Sequence, residues 1–562
     1  MVLKMETSVR TVLAIAVVCL GTALLPARNE AQASPQTGAQ TVKGGDRITL
    51  PLAPETEKVP VVDNYFGTKI TDDYQWLEDA KSTETRAYID QQIAYTDRYL
   101  KQAKVRPEFA ENLDALIHVT TWSTPIQRGD SYFFMKRLSG EDQASIYVRH
   151  GWATGGASKA PAKAASAKQS GAELGKDIRI VDPAALSRDA NTSVSMNAVS
   201  EDGSLLVYGV REGGADEEEI HIYNVKTRKA LDDVLPQARY NSVDLAPDLS
   251  GVYYSRFTHQ GSLVYFHKFG TRLSSDALIF GREFRGEPLA EMDLIGAEVT
   301  EDGHYLIVSV GRGVPAKRVD IVYRDLRQPK SSFQILVWAI DSRFSPIYAN
   351  GDFYVRTDYQ APNGRILKAM PGGVAPEAWK TVVPEGKDVI DGANIVGGKL
   401  FVHRLHDVRS ETTIYTLDGK ESGTIQYVGV GDASDLSGSA KDRYGFYSFQ
   451  SFIQPPTIYR YDTTTGKQEI FAKPNTPFDS SEYELKQVFY KSKDGSQVPM
   501  FHRGQERPQA RWNRTPADDR LWRFRRQHHS SMESAICLVD GAGGLVCSAQ
   551  SSRRRRVRRA LA

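Results

Sequence analysis

Short strands introduced by glycine turns, recurring about every fifty residues and seven times in succession, predict a mainly β chain folded as a seven-bladed β-propeller. Two further observations frame that reading. A pair of helical patterns precedes the repeats, and the composition turns abruptly arginine-rich after them. The 562 residues are 40% hydrophobic and 25% charged, which fits a folded chain and excludes a disordered or collagen-like one. Lys and Arg number 71 against 69 Asp and Glu. With no strong basic field, nucleic acid is not an expected partner.

Met1 to Ala33 reads as a secretory signal peptide. Lys4 and Arg10 give a basic start, Thr11 to Leu25 is mostly apolar, and Ala31-Gln32-Ala33 is a small-x-small cleavage site. The mature chain is therefore expected in a periplasmic or extracellular setting. No later apolar run is long enough to span a bilayer. Cys537 and Cys547 are the cysteines left after the signal, and both lie in the tail. They are close enough to pair, but no disulfide framework supports the body.

Residues 34–119 form an N-terminal extended and helical segment. The stretch 34–60 is rich in Pro, Thr, Gln and Gly and reads as extended. Ser82 can cap a first helix, with Ile89, Ile93, Thr96 and Leu100 on one stripe. Pro107 opens a second helix, with Phe109, Leu113 and Leu116 on its expected buried face.

The propeller is expected over 120–475. Its turn glycines are Gly129, Gly203, Gly251, Gly303, Gly351, Gly397 and Gly445, each followed at once by an apolar strand such as Leu205-Leu206-Val207-Tyr208. The intervals between them are 74, 48, 52, 48, 46 and 48 residues. The long first interval contains an Ala, Gly, Ser and Lys insert at 151–176, which cannot bury a core and is expected to be a flexible loop. Removing its 26 residues leaves 48, so the period holds throughout. One four-stranded blade cannot cover both of its faces, and ring closure supplies the missing neighbours.

Asp63-Asn64-Tyr65-Phe66-Gly67, followed by Ile70 through Asp79 (ITDDYQWLED), resembles the N-terminal signature of the prolyl oligopeptidase family. Asp73 stands where members usually have Pro, and Gln75 where they have Arg. Further matches follow in order, among them Ser200-Glu201-Asp202-Gly203, Glu301-Asp302-Gly303-His304-Tyr305-Leu306 and Lys493 through Phe501 (KDGSQVPMF). The resemblance runs over about residues 50–501. It implies a seven-bladed propeller joined to an α/β-hydrolase domain, on which the N-terminal segment packs. It also implies hydrolysis of short proline-containing peptides after proline by a Ser-His-Asp triad. The propeller covers that active site and restricts access to it.

The residues for that chemistry are not in this sequence. Residues 476–501 are expected to form the first strands of the hydrolase domain, and the resemblance stops at Phe501. No G-x-S-x-G nucleophile elbow occurs anywhere in the chain, and the α/β-hydrolase domain is expected to be essentially absent. No catalytic residue is assigned. The segment 502–562 holds 14 Arg, no Lys and 5 acids, a net of +9 against −7 for residues 1–501. This Arg-rich tail is read as disordered or as the product of a shifted reading frame. The alternative is a basic arm for phosphates or anionic lipid.

His403-Arg404-Leu405-His406-Asp407 offers two imidazoles near a carboxylate. Residues i and i+3 of a strand point to opposite faces, so a blade strand is the preferred reading and no metal ligand is assigned. His528-His529 lies in the tail and is treated the same way. Asp216-Glu217-Glu218-Glu219 reads as a solvated turn, and Asn191-Thr192-Ser193 fits a glycosylation sequon. No cofactor is expected, and the chain is taken as monomeric. The expected activity is that of a substrate-gating propeller, inactive as written. The rival readings are an exported peptide- or protein-binding module and a poorly folding gene remnant.

Overall fold

The computed structural model describes residues 41–43, 49–102, 106–152, 175–328, 330–373 and 375–505, with the backbone of Cys547–Ala549. The signal segment Met1–Ala33, most of the 151–176 insert, and most of the tail with Cys537 and His528-His529 lie outside the described residues. The chain divides into two units, 1–115 and 116–562.

In the first unit, Val61–Tyr65 and Thr68–Asp72 form a hairpin about Phe66 and Gly67, both at positive φ. The signature residues brace it locally. The Gln75 amide donates to Asp63 at 3.0 Å, and Asp73 pairs with Lys58 at 3.0 Å. Helix α1, Thr83–Leu100, starts as the sequence indicates, since the Ser82 hydroxyl accepts from the Thr85 amide at 3.1 Å. The extended segment before the hairpin lies along this helix. Tyr95 donates to the Pro51 carbonyl, Gln92 to the Pro54 carbonyl, and the Trp76 ring meets Tyr88 edge-on at 5.8 Å.

Helix α2, Arg106–Ile117, forms where Pro107 places it. Its expected buried face is uncovered among the described residues. Phe109, Leu113 and Leu116 are exposed, and on α1 Ile93 and Thr96 are exposed too. The 3.6-residue spacing correctly indicates amphipathic helices, but nothing among the described residues covers these stripes.

The second unit is a seven-bladed β-propeller. Blade one spans 121–181 and has an interrupted inner edge, with Thr121–Trp122 and Ile126–Arg128 both pairing with Ser131–Arg137. Blades two to seven are four-stranded antiparallel meanders over 193–238, 240–280, 294–337, 344–383, 389–424 and 432–472. The second strand of each blade is buried on both faces, which explains its continuous apolar run. In Leu205–Arg211, Leu206 and Tyr208 pack toward blade one while Leu205 and Val207 pack toward blade three.

Seven apolar clusters alternate with the seven blades, and the last joins blade seven to blade one. Among the described residues no strand crosses that seam, because each sheet there is a contiguous stretch of chain. Side chains close the ring instead. Phe471 and Phe446 pack on Tyr132 at 6.0 and 5.7 Å, and the Arg460 guanidinium lies 3.6 Å over Trp152.

Five of the seven expected turn glycines adopt the left-handed conformation: Gly129, Gly203, Gly303, Gly351 and Gly397. Gly251 and Gly445 are strand residues. At Gly251 a Cβ would fall 2.0 Å from the His267 carbonyl oxygen, so close strand approach requires glycine, and Leu249 takes the positive-φ position. At Gly445 the obstacle is the Leu436 side chain at 2.7 Å.

Four antiparallel strands return the chain to the face from which it entered. The chain therefore reaches the ring before Thr121 and leaves it after Ala472 on one face, here the entry face. The loops joining first to second strands lie on the other, the turn face. A hairpin of Tyr483–Lys491 and Gln497–Gln505 follows on the entry face. Gln487 donates to the Asp407 carbonyl at 2.5 Å, and Phe501 packs on Phe452 at 5.4 Å. Cys547–Ala549 adds a third strand to this hairpin, antiparallel to Met500–His502.

Candidate functional site

The first strands of the blades converge on the middle of the ring and enclose a polar channel. One cavity of about 660 Å³ is bounded by blades three to six, among others by Arg343, Arg356 and Asp391. Another of about 430 Å³ is bounded by blades one to four, among others by Arg128, Asn197 and Tyr240. The two share Asn241, Ser242, Ala297 and Glu298.

The channel is polar for a physical reason. Inner strands of neighbouring blades splay apart and do not pair with each other, so their backbone groups need other partners. Side chains supply them. Ser242 and Asp244 of blade three accept from the Ala297 and Val299 amides of blade four at 2.7 and 2.8 Å. Arg128 donates to the Val199 carbonyl at 3.2 Å, and Asn394 to the Leu436 carbonyl at 3.0 Å. Arg356 of blade five donates to the Asp391 carbonyl of blade six.

One acidic feature stands on this lining and another just behind it. Glu298 opens to channel solvent but is ringed by protein. Burial, with the Asp244 charge beside it, pushes its carboxyl up to about 7. Asp244 is also raised by burial, although two backbone amides donate to it. In blade two, Glu218 accepts from Ser195 at 2.8 Å and Asn197 at 3.1 Å and pairs with Arg211 at 2.8 Å. Gly209 makes room for it, since a Cβ there would lie 2.1 Å from Glu218 Oε2.

At the turn face, Glu201 of blade two pairs with Arg128 of blade one at 3.2 Å. Burial raises both Glu201 and Asp442 of blade seven. Glu301 of blade four reaches Ser439 and Ala440 of blade seven. This mouth is crossed by hydrogen bonds.

The structure separates the residues singled out in the sequence. His403 is buried and faces Asp435 at 3.2 Å, whereas His406 pairs with Asp388 at 2.9 Å, which raises its imidazole above the ordinary value. The expected opposite faces are observed. The 216–219 acidic run is only partly a solvated turn. Asp216 and Glu217 pair with Arg239, but Glu218 opens a strand and is 5% exposed, so its reading as a turn residue is corrected. Asn191 of the sequon is exposed. Sequence reasoning missed Asp244 and Glu298, and it named Glu218 and Glu301 without a role in the channel. The available signal was the polar alternation before each turn glycine, as in Ser193-Val194-Ser195-Met196-Asn197.

The family model for the prolyl oligopeptidase N-terminal beta-propeller domain matches residues 54–474. The chain belongs to the prolyl oligopeptidase family. Prolyl endopeptidases of Elizabethkingia meningoseptica and Elizabethkingia miricola are each 31% identical over 460 residues. Those matches take in 80% of this chain and 61% of each relative, so the chain spans about three fifths of their length. Among solved structures, a prolyl endopeptidase studied for inter-domain dynamics superposes with a TM-score of 0.69 at 28% identity, over 81% of this chain and 65% of that one. Prolyl oligopeptidase B of Galerina marginata, bound to a 35mer hydrolysis and macrocyclization substrate, gives 0.66 at 20% identity over 81% and 65%, a likeness of fold. No helix among the described residues is long and apolar enough to cross a membrane.

Proposed function

We propose that this chain is the exported, substrate-gating propeller part of a prolyl oligopeptidase-type serine endopeptidase, handling short proline-containing peptides, and that its 562 residues do not hydrolyse peptides by themselves. The observation that carries the reading is topological: the polar ring of a prolyl oligopeptidase takes its chain in and releases it on one face. The hairpin 483–505 continues from that face, with Val488, Phe489 and Tyr490 exposed. In this reading these residues are the first strands of the hydrolase domain. Exposed apolar residues of this kind suit a partner surface. Inactivity rests on the sequence, which holds no nucleophile elbow.

The test is hydrolysis of a chromogenic peptide with proline before the reporter. The purified chain should give no turnover above buffer. Turnover abolished by a serine-directed phosphonate would overturn the proposal. Mass spectrometry of the secreted chain, starting after Ala33, tests export.

A further inference from the structure

We propose that Asp388, His406 and Glu411 of blade six form a binding site for a divalent transition-metal ion, zinc foremost. One ligand atom from each lies within 4.8 Å of the others. The strand register brings them together. Val389 faces Leu405 across the first and second strands, which puts Asp388 beside His406. Arg404 faces Glu411 across the second and third strands, which puts Glu411 diagonal to His406 on one face. No two of the three are neighbours in sequence, so the local motif at 403–407 does not show the site.

The donor set selects the ion. One imidazole nitrogen and two carboxylates suit zinc, whereas calcium and magnesium prefer oxygen alone. Two carboxylates also balance a double positive charge. His406 Nδ1 and Asp388 Oδ2 are hydrogen-bonded at 2.9 Å, so an ion bound by both would replace that proton with a small widening of the pair. Nε2 lies 3.7 Å from Asp407 Oδ2, beyond hydrogen-bond distance, and a small side-chain rotation would let Asp407 accept the ring's other N–H, the usual support for a metal-bound histidine. Competing cations are weakly engaged. Arg409 is 3.6 Å from Glu411, and Arg404 donates instead to the Tyr415 hydroxyl at 3.2 Å. Three protein ligands leave a coordination position for water or an outside donor. The site adjoins the turn whose Asp407 carbonyl receives Gln487, so a bound ion would stiffen the contact between blade six and the 483–505 hairpin.

The test is calorimetric titration of zinc chloride into the full chain after chelator dialysis, alongside chains carrying H406A, D388N or E411Q. The wild type should bind one zinc per chain at this site, and H406A should weaken it at least tenfold. A chain carrying H528A, H529A, C537S and C547S should keep the site, which separates it from donors in the tail. Should H406A melt early in chelator, D388N and E411Q take its place, read by the visible absorption of bound cobalt. Absence of zinc binding, binding indifferent to all three substitutions, or binding lost only with the tail donors would overturn the proposal.

Discussion

The Glu301 carboxylate of blade four accepts from the Ser439 hydroxyl at 2.9 Å, although the two residues stand 138 apart in sequence and in blades that are not neighbours. The same oxygen accepts from the Ala440 amide at 3.0 Å. These bonds cross the turn-face mouth of the channel, with Glu201 and Asp442 close by. A solute leaving by that mouth has to displace them. Glu301→Ala should cost about 1 kcal/mol, the usual net worth of such a contact. In a double-mutant cycle with Ser439→Ala, urea unfolding should show a coupling of about 0.5–1.5 kcal/mol. Strict additivity would mean that the latch carries no energy.

The seam between blades seven and one is where the ring depends wholly on side chains. Phe471 is buried there against Tyr132, Phe134, Phe446 and Trp152. Phe471→Ala should cost about 3–5 kcal/mol, as should Phe353→Ala in the core between blades four and five. The two variants should differ in where they loosen the fold. Only Phe471→Ala should speed amide exchange in both 131–150 and 444–472, because no strand pairing holds those blades together. Equal exchange in the two variants would place the weak point elsewhere.

How far the sequence can be read follows from burial. Second strands such as Tyr305–Arg312 are buried on both faces, so their apolar runs and the glycine turns before them stand out and give the blade count. First strands line the channel and are polar on one face, so their alternation, as in Ser193 to Asn197, is short and lacks an apolar run, and in blade seven it shrinks to Asp432–Ala433. The amphipathic stripes of α1 and α2 are legible as helices but not as buried surfaces, since no described residue covers them. Site residues are the least legible because partners such as Glu301 and Ser439 meet only through ring geometry, and Asp388 and Glu411 come together only through strand register. Glu218 looked like one acid in a charged run. Its burial comes from the strand phase and from the space left by Gly209.

That space leads to a steric test. A Cβ at position 209 would lie 2.1 Å from Glu218 Oε2 and 2.7 Å from Ser195 Oγ, so Gly209→Ala must displace a buried carboxylate with three polar neighbours, Ser195, Asn197 and Arg211. The cost should be about 2 kcal/mol, typical of overpacking. Glu218→Ala removes the obstacle but leaves Arg211 without its partner. The double variant should therefore be at least about 1 kcal/mol more stable than the sum of the two single losses. Urea melts of the four chains decide it, and additive losses would show that the glycine is not there for the carboxylate.

Glu298 gives the channel a pH dependence whose sign can be worked out. Its carboxyl titrates at about 7 in the folded chain against an ordinary 4.5. Between those values the folded state holds a proton that the unfolded chain has released, so this residue makes stability fall as pH rises through that window. Above about 7 the loss is complete, with a charged carboxylate facing Asp244. Channel solvent screens the charge, which reduces the expected effect to about 1 kcal/mol. Glu298→Gln keeps the shape and removes the titration. Relative to wild type it should be about 1 kcal/mol more stable at pH 8 than at pH 4.5, read from urea midpoints at the two values. A difference between the two chains that does not change with pH would show that Glu298 ionises as it would in open water.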